Sequence, residues 1–297
     1  MRLNELGERG FLAELESRGL AVAIGDDTAA LEHGQVATVD TLVESTHFRL
    51  SWTTWQDLGY KAAAVNLSDL AAAAARPEAL LVGLGLPGDT TVAAALEFYE
   101  GLNEHGVPVR GGDTVETPLA VITVAALGRS RRIPGRAGAR PGDAIVVTGP
   151  LGASAAGLHA LECGLSDADA VVAAHLRPPV RIAEGLRLGE VATAVVDLSD
   201  GIGVDAGHIA TQSGCCLEIA LERLPLATGV DRTGEKLYWA MGEDYELLAT
   251  VPLAAASELG YPIIGHCREG SGAVITRAGA PMELPGYEHF SAGQADS

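Results

Sequence analysis

The spacing of apolar and polar positions predicts a first half in which helices and strands alternate. Strict alternation over 35–43 predicts a strand that carries Asp40 in its middle. The long Ala-rich segment 55–75 predicts a helix that Arg76-Pro77 ends. The remaining apolar runs predict strands at 20–24, 80–86 and 119–127 and helices at 6–18 and 90–104.

The second half shows the same alternation after a break in composition. Five arginines fall within twelve positions among Gly and Pro: Arg129, Arg131, Arg132, Arg136 and Arg140. We interpret this stretch as a domain boundary, with domains at 1–134 and 135–297, since 297 residues favour two cores. Beyond it we predict strands at 144–148, 193–196 and 215–221, helices at 154–162, 179–188 and 201–213, and a strand-rich stretch from 236 that holds Glu243 and Asp244. The expected class is α+β.

Composition limits the classes of protein. Apolar residues make up 47% of the chain, which is typical of a compact globular protein. No apolar run reaches the roughly 18 residues that span a bilayer, and the first residues lack a signal layout, so we expect a cytoplasmic protein that is not bound to a membrane. The formal net charge of -19 argues against nucleic acid, whose phosphates require a basic surface.

Short acidic motifs recur beside small residues at strand ends or on a helix. They include Gly25-Asp26-Asp27, Asp40, Asn66 to Asp69, Gly111-Gly112-Asp113, Asp197 to Asp200, and Gly242-Glu243-Asp244. Carboxylates so placed repel one another, and the chain has only 20 basic residues against 39 acidic ones. Hard divalent cations take oxygen ligands and offset such charge. The recurrence therefore predicts a divalent-metal site for a polyphosphate, although one Asp after a strand is usually a turn or capping residue.

Two further motifs have alternative interpretations. The arginine cluster is either a solvated linker or a phosphate contact, and Arg136 is the member we select for phosphate. The turn Gly149-Pro150-Leu151-Gly152 suggests a phosphate loop, but no Lys-Ser/Thr pair follows it. We interpret that turn as a tight connection to a helix and leave it out of the site.

Seven motifs together resemble one family. In chain order they are Gly-Asp-Asp, Asp-Thr-Leu-Val-Glu-x-x-His-Phe, Gly-Tyr-Lys-Ala-x-Ala-Val-Asn-Leu-Ser-Asp-Leu-Ala-Ala, Gly-Gly-Asp-Thr, Gly-Ala-Arg-Pro-Gly-Asp, Asp-Leu-Ser-Asp-Gly and Gly-Glu-Asp-Tyr-Glu-Leu. They closely resemble the thiamine-monophosphate kinase family, within the AIR-synthetase-like superfamily of ATP enzymes, and the likeness runs from about 6 to 290. It implies a two-domain fold: an N-terminal sheet domain that binds ATP and metal and dimerises, and a C-terminal α/β domain. It also implies a homodimer formed through the N-terminal sheets, with the site in a cleft between the domains.

The resemblance also implies an activity and its residues. The family transfers the γ-phosphoryl group of ATP to the phosphate of thiamine monophosphate with several Mg²⁺ ions. The implied metal ligands are Asp27, Thr38, Asp40, Asp69, Asp113, Asp197 and Asp200. The implied ATP contacts are Gly112, Asp113, Arg136, Ser199 and Tyr99. The implied contacts with thiamine monophosphate are His47, Glu243 and Tyr287. Three positions depart from the family pattern, namely Val39, Met241 and Glu116.

The charge of the acceptor indicates how the reaction proceeds. A phosphate monoester carries roughly -1.5 to -2 near pH 7, so its ionised oxygen attacks without a general base. We therefore assign no catalytic base and expect direct in-line transfer, in which positioning and electrostatic stabilisation carry the catalysis. Repulsion between two polyanions inside a ring of aspartates requires more than one divalent ion.

Two other readings of the motifs lead to different functions. One is another ATP enzyme of the superfamily, such as AIR synthetase or the hydrogenase-maturation carbamoyl dehydratase. Selenophosphate synthetase is disfavoured because it uses a reactive residue near its N-terminus, whereas the first cysteine here is Cys163. The other is a calcium-binding protein, but such loops concentrate their ligands within about twelve residues.

Overall fold

The computed structural model describes residues 2–22, 24–232 and 236–282. Its N-terminal half has a five-stranded sheet covered on one face by helices. The elements are α1 (Leu3–Ser17), β1 (Ala29–Ala30), β2 (Gln35–Val43), α2 (Trp55–Ala72), β3 (Ala75–Leu86), α3 (Val92–Asn103), β4 (Val109–Glu116) and β5 (Val121–Ser130). The predicted strand at 20–24 is wrong, because the described residues of that segment form bends and irregular backbone and no strand.

The N-terminal sheet has the strand order β1-β2-β5-β3-β4. β3 and β4 are parallel, and the other neighbours are antiparallel. The inner face packs on α2 and α3 around a core that includes Val36, Leu80 and Ile122. The outer face leaves Val39 and Leu81 exposed. Parallel pairing with β3 makes Gly111-Gly112-Asp113 part of β4, and not the end of a strand as the acidic motifs predicted.

The central helix α2 connects the two halves. The Thr54 hydroxyl accepts a hydrogen bond from the Asp57 backbone N–H at 3.0 Å, which caps the helix start. The helix ends at Ala72, three residues before the predicted end, because Ala74 has a left-handed φ of 51° and β3 begins directly after it. Its last residues, Ala71 and Ala72, are buried against the C-terminal sheet. α2 is therefore enclosed from both sides, which places its polar side chains between the halves.

The C-terminal half has a seven-stranded sheet in the order β12-β11-β8-β10-β6-β9-β7, with a core on each face. Its elements are β6 (Ala144–Val147), α4 (Ala153–Cys163), α5 (Asp169–Leu176), α6 (Ile182–Val191), β7 (Ala194–Asp197), α7 (Ile202–Ser213), β8 (Cys216–Ala220), β9 (Leu247–Val251), α8 (Leu253–Leu259), β10 (Ile263–Arg268), β11 (Gly272–Arg277) and β12 (Ala280–Met282). The sequence did not predict α5. Glu243 and Asp244 lie in a loop before β9 and not in a strand.

The arginine-rich segment 131–143 connects β5 of the first sheet to β6 of the second. This arrangement agrees with an α+β protein of two parts, while the boundary at 134/135 stays a prediction. Among the described residues, no helix has both the length and the apolar character needed to cross a membrane.

Candidate functional site

Four of the predicted aspartates converge between the two halves. Asp27 lies in the loop before β1, Asp40 on β2, Asp69 on α2 and Asp197 at the end of β7. Carboxylate oxygens of Asp27, Asp69 and Asp197 all lie within 4.8 Å of one another. The charge of Asp40 acts on Asp69 and raises the pKa of that carboxyl, so Asp40 lies beside the other three. We call these four residues the acidic cluster. It unites four elements that are separated by up to 170 positions along the chain, as 197 minus 27 shows.

The acidic cluster is short of positive charge. Burial, partly offset by Arg136, raises the pKa of Asp27 to about 7. Burial also raises the pKa of Asp40 and that of Asp197 to about 6. Burial together with repulsion from Asp40 raises the pKa of Asp69 well above its usual value. The Arg136 guanidinium contacts Asp27 Oδ1 at 2.5 Å. Its positive charge lowers the pKa of Asp27 and so partly offsets the effect of burial. One guanidinium does not balance four carboxylates, of which Asp197 is buried and the other three are half-buried.

Hydrogen bonds fix the orientation of the cluster without neutralising it. The Thr38 hydroxyl donates to Asp69 Oδ2 at 2.5 Å, and the Ser68 hydroxyl donates to Asp197 Oδ2 at 2.7 Å. Asp27 Oδ2 is buried and has no hydrogen-bond partner among the described residues. A buried carboxylate oxygen without a donor is costly unless a cation contacts it. The oxygen-only donor set and this unpartnered atom fit a hard divalent cation such as Mg²⁺.

Asp200 belongs to a neighbouring group with Asp205 and His208, whose ligand atoms also lie within 4.8 Å of one another. The buried Asp205 carboxylate accepts hydrogen bonds from the backbone N–H groups of Gly201, at 3.0 Å, and Asp200, at 3.2 Å. It therefore orders the turn that presents Asp200 at the start of α7. Sequence reasoning missed Asp205, although an Asp in the first turn of a helix is a recognisable signal.

Asp113 is not brought to the acidic cluster within one chain. β4 is three strands away from β2, about 14 Å at the usual spacing between strands. The pairings place Asp113 in the exposed row that holds Gly83 and Thr41, whereas Asp40 belongs to the inward row. The neighbouring Gly112 has a packing role, since a Cβ there would lie 1.8 Å from the Val82 carbonyl oxygen.

A second polar centre surrounds Glu243. Lys61 Nζ lies 3.2 Å from Glu243 Oε2, and His175 Nδ1 lies 3.4 Å from the same oxygen. Burial by itself would raise the pKa of Glu243, but the charge of Lys61, helped by His175 and His47, holds it below the usual value. The structure thus places the two predicted residues His47 and Glu243 near each other. Sequence reasoning missed Lys61, whose signal is a lone lysine in an Ala-rich helix, and it missed His175.

Tyr245 links the two centres. Burial raises the pKa of this tyrosine well above its usual value, and the charges of Glu243 and then Asp40 raise it further. Its backbone N–H donates to the Leu198 carbonyl at 3.0 Å. The loop that carries Glu243 is in this way bound to the turn between Asp197 and Asp200, so both centres face one region.

The other predicted residues have separate surroundings. Ser199 accepts the Glu243 backbone N–H at 2.8 Å through its carbonyl. Tyr99 lies on α3, packs against the N-terminal core and meets Phe98 edge-on at 5.8 Å. Tyr287 lies outside the described residues. The family departures Val39, Met241 and Glu116 are all exposed.

The Gly-rich turn before α4 agrees with the tight-turn interpretation. The backbone N–H of Gly152 donates to both oxygens of Asp244, at 2.8 and 2.9 Å. That N-terminus, where a phosphate loop would hold its ligand, is thus already paired with a carboxylate of the chain.

Comparison with known proteins supplies the family. Residues 25–130 match the AIR synthase related protein, N-terminal domain, and residues 140–275 match its C-terminal domain. The thiamine-monophosphate kinase of Aquifex aeolicus is 36% identical, over 98% of this chain and all of that protein. The enzyme of that name from Escherichia coli K12 is 40% identical, over 91% of this chain and 92% of its own length. The chain belongs to the thiamine-monophosphate kinase family.

Solved structures show the same fold. AaThiL complexed with AMPPCP and TMP is 35% identical, has a TM-score of 0.89, and matches 97% of this chain and 99% of its own. The hydrogenase maturation protein HypE in complex with ATP has a TM-score of 0.71 at 18% identity, over 88% of each chain, and it shares the fold alone. The two-domain α+β fold expected from the motifs is confirmed.

Proposed function

We propose that this protein transfers the γ-phosphoryl group of ATP to the phosphate of thiamine monophosphate, giving thiamine diphosphate and ADP. The observation that carries the proposal is the acidic cluster between the halves, with its unpartnered Asp27 Oδ2. The support from relatives is their name, their identity of 36 to 40% over nearly the whole chain, and a structural relative that holds AMPPCP and TMP together.

The cluster residues are proposed to hold Mg²⁺. Asp27, Asp40, Asp69 and Asp197 supply carboxylates, and Thr38 and Asp200 lie beside them. Bound Mg²⁺ would supply positive charge that offsets both the aspartates and the phosphates. Among the residues of the chain, Ser68 and Thr38 keep the carboxylates oriented through the hydrogen bonds they donate. We propose several ions, because one would leave a surplus of buried negative charge.

Arg136 is the proposed phosphate contact on the ATP side. Its three described bonds go to Asp27 and to the Gly25 carbonyl. A guanidinium has five N–H donors, so others are left for phosphate oxygens. Ser199, Gly112, Asp113 and Tyr99 remain proposed ATP contacts. No residue is proposed as a general base, and in-line attack by the ionised acceptor phosphate completes the proposal.

His47 and Glu243 are the proposed contacts for thiamine monophosphate, with Tyr287 as a third. Tyr245 feels the charges of both Glu243 and Asp40, so the Glu243 centre and the acidic cluster are close enough to serve two substrates that meet there. The cytoplasm remains the proposed location.

We also propose a homodimer in which the outer faces of two N-terminal sheets pair. That face exposes Val39, Leu81 and Val115, of which Val39 is 62% exposed. Pairing would remove these apolar side chains from water and would place Asp113 at the interface. A solution mass equal to the 30.5 kDa monomer at every concentration would contradict the dimer.

The test of the activity is a product assay. Purified protein is incubated with ATP, MgCl₂ and thiamine monophosphate, and thiamine diphosphate is quantified by chromatography. Asp69→Asn serves as the matched inactive control, and omission of MgCl₂ as a second control. ATP consumption without thiamine diphosphate would favour another ATP enzyme of the superfamily, and a calcium-binding protein would show neither.

A further inference from the structure

Lys61 is a buried lysine whose charge points from α2 into the C-terminal half. The residue is 3% exposed and lies seven positions before Ser68, so both side chains leave the same face of the helix. Ser68 reaches Asp197, and Lys61 reaches Glu243. A buried ammonium group is costly unless a carboxylate pairs with it, so this contact is the reason that Lys61 is tolerated in the core.

The Glu243 carboxylate is fixed through one of its two oxygens. Lys61 contacts Oε2 at 3.2 Å and His175 contacts it at 3.4 Å. His175 is itself held by the Ser154 hydroxyl at 3.0 Å from Nδ1. The side chain of Glu243 remains 32% exposed, and within the described part of the chain its carboxylate meets Lys61 and His175 through Oε2. Oε1 is therefore the oxygen that is left to meet a ligand.

The backbone adds to this rigidity. Glu243 has a left-handed φ of 57°, and its N–H donates to the Ser199 carbonyl at 2.8 Å. His175 lies at the end of α5, and Arg177, two residues later, stacks on Tyr60 at 4.0 Å and pairs with Asp57 at 2.9 Å. The connector after α5 is in this way fastened to the same helix that carries Lys61. A carboxylate held in this manner can accept a hydrogen bond from a ligand in one fixed direction, through Oε1.

The ligand chemistry follows from the charge of the pair. Lys61 already offsets the charge of Glu243, so a further cation gains little from the carboxylate. A neutral N–H donor gains a charge-assisted hydrogen bond without bringing extra charge. Thiamine monophosphate carries such a donor, the exocyclic amino group of its aminopyrimidine ring.

We propose that Lys61 is a positioning residue that holds Glu243 so that Oε1 accepts a hydrogen bond from this amino group. The proposal rests on the proposed function, since it takes thiamine monophosphate as the substrate. Substrate specificity would then depend on residues outside the acidic cluster. Helix α2 would carry Asp69 at the phosphate groups and Lys61 near the aminopyrimidine ring of the substrate.

The experiment measures binding as well as turnover. Titration calorimetry follows thiamine monophosphate binding to the parent, to Lys61→Met, and to Arg268→Met, which breaks the exposed Arg268–Glu218 pair on the C-terminal sheet. We expect Lys61→Met to weaken binding at least about tenfold and to raise the KM for thiamine monophosphate equally. The kcat and the KM for ATP should stay within about threefold, and Arg268→Met should match the parent.

A double variant tests whether Lys61 acts through Glu243. The double variant Lys61→Met/Glu243→Gln should bind thiamine monophosphate no more weakly than Glu243→Gln alone. Both substitutions remove the same interaction, the positioned Glu243 carboxylate, so their effects should not add. If the losses of affinity in the two single variants multiply in the double variant, Lys61 acts independently of Glu243 and the proposal is overturned. A fall of kcat with an unchanged KM for thiamine monophosphate would overturn it as well.

An analogue keeps the proposal testable if Lys61→Met does not fold. The probe is thiamine monophosphate with an oxo group in place of the amino group, which turns a donor into an acceptor. The parent should bind it at least about tenfold more weakly. Equal affinity overturns the proposal, as does the absence of any binding of thiamine monophosphate. Binding without formation of thiamine diphosphate would instead count against the proposed function.

Discussion

The two polar centres between the halves hold their carboxylates in opposite ways. The acidic cluster gathers four aspartates, Asp197 buried and the other three half-buried, whose pKa values are raised, Asp27 to about 7, with Arg136 as their cation. The Glu243 centre holds one carboxylate whose pKa is lowered, because Lys61 lies 3.2 Å away. Both lie between the halves and both influence Tyr245. The same type of side chain is therefore left unneutralised in one centre and neutralised in the other.

This difference indicates which partner each centre needs. Under the proposed function an unneutralised cluster takes its cations from solution, so we expect its stability to depend on metal. A paired carboxylate is already stable and needs only a hydrogen-bond donor.

The largest effect is expected from Asp69→Asn in the acidic cluster. The amide keeps the shape but removes one anionic ligand, so we expect turnover to fall at least about 100-fold. The melting temperature in chelator should rise instead, because a buried repulsive charge has gone. Kinetics and a melting curve check both changes, with the exposed Asp89→Asn as control. A parallel loss of activity and stability would mean that Asp69 is structural.

Asp113→Asn tests whether Asp113 belongs to the metal site together with the acidic cluster. Asp113 lies in the exposed row of the sheet, so its contribution to a metal shell depends on a second copy of the chain. We expect a fall in turnover of at least about tenfold and a raised magnesium requirement, with no rise of melting temperature in chelator. Turnover within about threefold of the parent at saturating magnesium would make it a surface residue.

How far the sequence predicts these centres depends on the kind of signal. Asp40 on its alternating strand and Asp69 on its Ala-rich helix are visible because local periodicity places them. Their meeting with Asp27 and Asp197 depends on pairing between distant elements, and it was inferred from recurrence and family likeness. The strand at 20–24 failed because a short apolar run does not reveal whether a partner strand exists. Asp113 was placed at a strand end because its glycines suggested a turn, whereas close packing on Val82 explains Gly112.

The second centre shows the limit more clearly. Glu243 and His47 were assigned roles from motifs; Lys61 lies in the motif that begins Gly-Tyr-Lys-Ala but was given no role, and His175 lies outside the motifs. A lysine in a helix is usually solvated, and only the enclosure of α2 by both sheets makes this one buried. Its partner is 182 positions away. Such long-range pairs are fixed by packing, which periodicity does not encode.

Metal and nucleotide should stabilise the acidic cluster by several degrees. In chelator at low ionic strength the aspartates repel one another, so we expect a lowered melting temperature that added salt partly restores. Magnesium should raise it, and magnesium with a non-hydrolysable ATP analogue should raise it further by mass action. The measurement is a set of melting curves under these four conditions. No rise with the analogue over magnesium alone would argue against the nucleotide site.

The smallest expected effect is a difference in pH dependence between the two centres. For the acidic cluster the folded pKa values lie above the usual 3.8, at about 6 for Asp40 and about 7 for Asp27. The folded state then binds more protons than the unfolded state between about pH 4 and 7. In chelator, the contribution of the cluster to the free energy of unfolding therefore falls as pH rises through this window. Magnesium should abolish that fall.

His175 works in the opposite direction. Burial, with the charge of Lys61, lowers its pKa from 6.5 to about 4, so between these values the unfolded state binds more protons. Its contribution to the free energy of unfolding therefore falls as pH drops from about 6.5 to 4 and is constant above. Urea unfolding at several pH values with saturating magnesium should show this fall in the parent and a weaker one in His175→Gln, by about 1–3 kcal/mol at pH 4. His266→Gln, on the exposed face of β10, is the matched control and should follow the parent. Identical curves for all three proteins would show that the pKa of His175 is the same in the folded and unfolded states, so that its surroundings do not disfavour the charged form.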